Sequence, residues 1–474
     1  MSSTASSDLE GWLPLCIAAG LALAAVYTLA PLMVWSLVAA AVLVRLAVRG
    51  LPDSERRLLT ATLAVAFAVR LLAIGALVIV GAVRHADPSL GAVLTGDEAY
   101  VLSRALRTRD ILLGFPVTTF DYVVVFDDYG RNSYIGVLAW FQVIFGPTPY
   151  AMRMCNAVIF TAGTVLLFRA ARRAFGWLPA YVALVIMLFY PTLFVWSISL
   201  LKEPLYLLGT SLVLVSALDA IRDRTWPVLA RAGLGMVAGL VIIGGLRSGA
   251  VVLAMSGIAA AIVLREVTRN AARFAAAAAL VIIAAGAVVA VPALQRRLIG
   301  TLEGTAKQHA GHVFTVGHAY KTLDEGFYFS PQTPSSSNMT LTPEQAARYV
   351  LRSAASFILV PVPWQLTSTR ELAYLPEQLV WYLVVLLAPL GVVAGWRRDP
   401  LTTAVLIGAI GPTVVALALT NGNVGTMLRL RGVVIPYLAV LTALGCCAVL
   451  ERLSSRRRAF DVRHTTPGFE GISL

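Results

Sequence analysis

This chain is poor in charge. Asp, Glu, Lys and Arg make up 13% of its 474 residues, against 58% hydrophobic. A chain so poor in charge is excluded from the soluble globular class and reads as a polytopic helical membrane protein. Acids are the scarcer sign, 25 against 38 bases, for a net charge of +13. In a soluble chain that excess would suggest nucleic acid. Here the basic residues cluster at the ends of apolar runs, which is a topology signal, so nucleic acid is not an expected partner. Cysteine is also scarce. Cys16, Cys155, Cys446 and Cys447 all fall in apolar stretches and read as small core residues, not as a disulfide frame or a metal site. No internal repeat is visible, and the one long polar stretch is Pro331–Thr342 (PQTPSSSNMTLT).

What is present is a series of apolar runs. They lie at about 12–29, 31–48, 57–83, 152–171, 178–197, 203–221, 228–246, 248–265, 274–294, 376–396, 400–420 and 431–450. Each is about the length a helix needs to cross a bilayer, and the first is long enough to remain as a span. The expected fold is therefore all-α, a bundle of about 12 transmembrane helices. With the N-terminus inside, the basic clusters Arg45–Arg57, Arg169–Arg173, Arg222–Arg231, Arg265–Arg273, Arg397–Arg398 and Arg452–Arg463 all fall on the inner side. Tyr134–Phe145 is apolar but too short to span. It is expected to be re-entrant or interfacial, because counting it as a span would invert the charge bias.

This threading divides the chain into an N-terminal hairpin (1–56), a transmembrane core (57–295) with a first outer loop (84–133), a second outer loop (296–375), C-terminal helices (376–453) and a disordered inner tail (454–474). Both termini are expected in the cytoplasm.

Unusual polar residues gather on the outer side: Asp97, Glu98, Asp127, Asp128 and Arg131, then Lys202, Glu203 and Arg247, then Arg370, Glu371 and Glu377, then Asn421, Asn423, Arg429 and Arg431. Acids beside lipid are costly, so the Gly96-Asp97-Glu98 step is a functional candidate. Asp97 also has an ordinary reading as a helix N-cap, which is compatible with a role as a general base. Asp127-Asp128 read first as a solvated pair, and Lys202-Glu203 as an interfacial pair with a snorkelling lysine. Outward arginines oppose the inner bias, and an anionic headgroup or phosphate is the natural ligand for them. Arg429 and Arg431 lie two apart, so on a helix they point different ways and only one can face a site. His309 and His312 have i, i+3 spacing, but without a cysteine partner they read as residues of a mobile loop and not as metal ligands. Asn338-Met339-Thr340 fits the glycosylation tripeptide, which is common by chance.

The order of these elements resembles the integral-membrane glycosyltransferases of the GT-C superfamily, such as protein mannosyltransferases and bacterial aminoarabinose transferases. Gly96-Asp-Glu-Ala-Tyr100 looks like their Asp-Glu step. Tyr129-Gly-Arg-Asn-Ser-Tyr134, Ala139–Gly146 and Tyr150-Ala-Met-Arg153 follow in matching order. Lys202-Glu203-Pro204 and Asn423–Arg431 look like later elements of bacterial relatives. Two extra spans precede the similar region. The relatives' His-Lys-Pro-Pro type motif is missing, with Arg131 in rough place of its lysine, and there is no Asp-Xaa-Asp.

The resemblance implies a bacterial inner-membrane enzyme with its site facing outward. It would move a sugar from a polyprenyl-phosphate donor to a glycan, lipid or protein acceptor, with inversion. Asp97 would act as base and Glu98 would orient the acceptor or pair with an arginine. Asp128, Arg131, Lys202, Glu203, Arg247, Arg370, Arg429 and Arg431 would bind substrate. A monophosphate leaving group held by cations does not require a metal; a divalent metal stays open but is disfavoured by the missing Asp-Xaa-Asp. The 296–375 loop would be a lid. Two other classes stay open: a lipid-linked glycan polymerase or ligase of O-antigen type, which does not need the early Asp-Glu, and a transporter. Transporters usually show paired halves, broken helices and midplane charges, whereas here Arg70 is the one mid-span charge and no half-repeat is visible.

Overall fold

The computed structural model describes residues 30–87, 93–128, 130–315, 318–328, 339–365 and 372–465, with single positions between 17 and 28 and at 91; beyond 454 it describes the backbone alone. Among these residues the chain is helical, and the only β pairing is an isolated bridge between Ala319 and Asn423. The helices are α1 (Pro31–Val48), α2 (Asp53–Val83), α3 (Gly96–Leu112), α4 (Thr119–Phe126), α5 (Ser133–Phe145), α6 (Pro149–Phe175), α7 (Trp177–Phe189), α8 (Pro191–Ile198), α9 (Glu203–Arg222), α10 (Trp226–Leu246), α11 (Ala250–Val267), α12 (Ala271–Ala290), α13 (Pro292–Val313), α14 (Pro343–Leu359), α15 (Leu375–Arg398), α16 (Pro400–Thr420), α17 (Val424–Arg431) and α18 (Ile435–Thr465).

Ten of the described helices are long and apolar enough to cross a membrane, or eleven if the bent pair α7 and α8 is one span. The chain is a multi-pass helical membrane protein. The break in that pair falls at Tyr190-Pro191, where proline cannot continue the backbone ladder. Eleven of the twelve expected runs thus have a helical counterpart, and the first, 12–29, lies outside the described residues apart from isolated positions. The 134–145 segment forms the 13-residue helix α5, shorter than a span.

The 296–375 segment holds no helix long and apolar enough to span, but it is largely helical, with most of α13 and all of α14. Described residues of these helices and between them form a core of Ala306, Ala310, Leu323, Tyr328, Leu341, Ala346 and Tyr349. One expectation is corrected. The helix entering the tail does not end near Ser454 but continues to Thr465.

The chain divides into two compact units, Met1–Leu166 with Leu188–Val251, and Leu167–Met187 with Val252–Leu474. In the first, Ala40, Phe67, Ile74, Met154, Ala157 and Ile198 form a core cluster. Glycines let α9 and α10 approach closely there: a Cβ on Gly239 would meet the Gly209 carbonyl oxygen at 2.6 Å. Small residues at helix seams are the usual means of close packing in lipid, where hydrocarbon supplies no hydrophobic drive between helices. The second unit uses the same device at Gly257 against Gly408, and where Gly391 and Gly445 of α15 and α18 lie against partner carbonyls.

Candidate functional site

The acidic step opens α3, and its two carboxylates have opposite surroundings. Thr95 is the N-cap, its side chain accepting from the Glu98 amide at 3.3 Å. Asp97 is therefore not the cap expected of it but a first-turn residue, where a carboxylate faces the positive end of the helix dipole. Asp97 is exposed and Glu98 is completely buried.

Glu98 is held on every side. Its Oε1 accepts from the Leu200 amide at 2.7 Å and forms an ion pair with Arg153 Nη1 at 2.7 Å, and its Oε2 accepts from the Leu94 amide at 2.7 Å. The Arg153 guanidinium also donates to the Ile198 carbonyl at 2.9 Å. From the same face of α6, Asn156 Nδ2 donates to the carbonyls of Ser199 and Leu201 and to the Tyr134 hydroxyl. These contacts have one physical purpose. The chain between α8 and α9 is irregular and buried, and its backbone polar groups need partners. Glu98, Arg153 and Asn156 supply them, tying α3, α5, α6 and that connection together.

With Glu98 and Leu102 turned inward, Asp97, Tyr100, Arg104 and Thr108 fall on another face of α3 at i, i+3, i+7 and i+11. Arg104 and Thr108 line a cavity of about 390 Å³, together with Val125, Phe126, Arg131, Asn132, Ser133, Ile135 and Gly136. Arg104 is itself buried, donating to the carbonyls of Val125 and Asp127 and to the Tyr100 hydroxyl. It fixes the strand of chain that carries Asp127 and Asp128. Asp128 and Arg131 are exposed and lie 3.6 Å apart. Nearby, α4 carries its own capping box. Bonds from the Thr118 amide and hydroxyl, then the Arg107 guanidinium, hold the Asp121 carboxyl below its ordinary pKa.

A second cavity, of about 250 Å³, lies between the end of α2 and the start of α6. It is walled by Ile74, Leu77, Val78, Gly81, Ala82 and Pro149, with Tyr150 and Arg153 as its polar members. Elsewhere in this unit, Lys202 Nζ donates to the Leu246 carbonyl at 3.1 Å. Buried Glu203 pairs with Arg247 at 3.4 Å, and the Arg247 guanidinium lies 5.4 Å over the Tyr206 ring. Mid-span Arg70 is fully buried. It donates to Ser197 Oγ and to the carbonyls of Leu188 and Ala66, so the one mid-span charge braces the chain around the α7–α8 break.

The remaining candidates belong to the second unit. Arg431 was expected to face a site or lipid phosphates. Instead it is buried, donating to Gln378 Oε1 at 2.8 Å and to the carbonyls of Phe357 and Val360, with its guanidinium 4.7 Å over the Trp381 ring. Arg429 is half-buried. His309 is likewise not in a mobile loop. It is buried on α13, with Nδ1 at the Asn421 carbonyl and Nε2 3.0 Å from the Tyr328 hydroxyl, and burial lowers its pKa from 6.5 to about 4. Among the described residues no group of three His, Cys, Asp or Glu could hold a metal ion. Arg370, Glu371 and Asn338 lie outside the described residues.

Arg104 and Asn156 escaped the sequence reading, and Arg153 entered it only as part of a motif. Arg104 could have been found from its i+7 spacing to Asp97. The cap could have been found from Thr95-Xaa-Xaa-Glu98, which fits the capping-box signature. No protein-family model, curated protein or solved structure matches the chain.

Proposed function

We propose that this protein is an integral-membrane glycosyltransferase of the GT-C type, transferring a sugar from a polyprenyl-phosphate donor to an acceptor on the outer face of a bacterial inner membrane. One observation carries the proposal. Of two adjacent carboxylates, Glu98 is saturated and buried while Asp97 is left exposed on the helix it anchors. A general base needs that arrangement: an accessible carboxylate on a rigid support.

In the proposed reaction the acceptor hydroxyl gives its proton to Asp97 as its oxygen bonds the anomeric carbon. The bond from that carbon to the phosphate oxygen breaks on the opposite side, with inversion, and polyprenyl phosphate departs. Arg131, exposed at the larger cavity, is the favoured cation for the phosphate, with Lys202 and Arg247 as further contributors in the same unit. The apolar cavity between α2 and α6 is suited to the first isoprene units of the donor. Glu98 and Arg153 act as positioning residues.

The test is the Asp97→Asn variant in proteoliposomes supplied with polyprenyl-phosphate sugars and candidate acceptors. Transfer and release of lipid phosphate should fall by about 10²–10⁴-fold. Near-normal transfer would overturn the assignment of the base. Translocation of the sugar lipid without release of phosphate would favour transport instead.

A further inference from the structure

The second unit holds a cavity of about 500 Å³ between the C-terminal end of α15 and the middle of α18. Gly391 and Gly445 bring the two helices into backbone contact. Beyond that seam the facing residues have side chains, and the space between the helices opens. Its lining is half aliphatic, including Val393 and Val449, and half charged, with Arg397, Arg398 and Arg452 against the single acid Glu451. Arg398 Nη2 pairs with Glu451 at 3.1 Å and its Nη1 reaches the Phe175 carbonyl at 3.4 Å. Arg397 is exposed, and its guanidinium has no ion pair among the described residues.

Three guanidinium groups around one carboxylate leave the cavity with excess positive charge, so its ligand is an anion. The aliphatic half says more. The neighbouring outward surface of both helices is apolar, with Val393 51% and Leu450 58% exposed, and it leads up to the arginines. A free phosphate has no use for that surface, whereas an acyl chain does. We propose that this cavity binds an anionic phospholipid, its phosphate among Arg397, Arg398 and Arg452 and its chains against α15 and α18. Basic pockets between transmembrane helices hold such headgroups through charge, and guanidinium forks suit phosphate oxygens.

The test is native mass spectrometry of the full chain in detergent, with equal phosphatidylglycerol and phosphatidylcholine. Phosphatidylglycerol should be retained in preference. Arg397→Gln and Arg452→Gln should each weaken its retention about fivefold, while phosphatidylcholine is unaffected. Glu451→Gln should strengthen retention by removing the competing carboxylate, a gain that misfolding cannot imitate. Arg224→Gln, at an exposed position outside the cavity, should change nothing. Equal retention of the two lipids, or a double Arg397→Gln/Arg452→Gln variant that binds like the wild type, would overturn the proposal. Displacement of phosphatidylglycerol by millimolar inorganic phosphate would show a phosphate site and overturn the lipid assignment.

Discussion

The segment after α2 and the segment after α12 were expected to be alike, two polar stretches supplying an outer site. They differ in what becomes of their polar side chains. In the first, Glu98 and Arg104 are consumed by the fold, while Asp97, Asp128 and Arg131 remain exposed. In the second, His309 is bonded into a helical core, and Arg431, from the last connection, is bonded to carbonyls of the α14 end. The difference teaches that a charged residue at a span boundary is a site candidate only after the backbone's own demands are met. Irregular chain beside lipid must have its amides and carbonyls bonded, and nearby Glu, Arg, Asn and His are the groups that do it.

The contrast can be broken at its strongest point first. Arg153→Met strands the buried Glu98 carboxylate and orphans the Ile198 carbonyl. A loss of about 3–5 kcal/mol is expected, measured as reduced thermal stability in detergent. An unchanged Tm would mean that the ion pair is not a strut.

The second unit offers a pH test. Burial lowers the His309 pKa from 6.5 to about 4, so the fold favours the neutral ring. Because the folded value lies below the unfolded one, the stabilisation is complete above about pH 6.5 and is lost as pH falls towards 4. The loss is at most about 3 kcal/mol. Unfolding followed against pH should show it, and His309→Gln should flatten the slope. Smaller still is the cap: Thr95→Ala should cost about 1 kcal/mol and loosen α3 in hydrogen exchange.

These tests also mark how far the sequence could be read. Spans were legible because length and hydropathy are the whole requirement for crossing a bilayer, and α5 was legible as too short to cross. The 292–313 helix was not, because Arg296, Arg297, Lys307 and His309 leave it too polar to read as a span and its packing partners lie elsewhere in the chain. Its neighbour α14 did leave a signal, the Thr342-Pro-Glu-Gln345 capping box, which the structure forms in both directions. The Asp97-Glu98 step was legible as important but not in its division of roles. Which carboxylate turns inward depends on Arg153 and Leu200, and pairings over such separations are not written in local pattern.

That division is most directly tested by comparing Asp97→Asn with Glu98→Gln in one preparation, each measured for sugar transfer from a polyprenyl-phosphate donor and for thermal unfolding. Asp97→Asn should lose transfer while keeping the wild-type Tm, and Glu98→Gln should lower the Tm. An Asp97→Asn protein that transfers normally, or a Glu98→Gln protein as stable as the wild type, would contradict it.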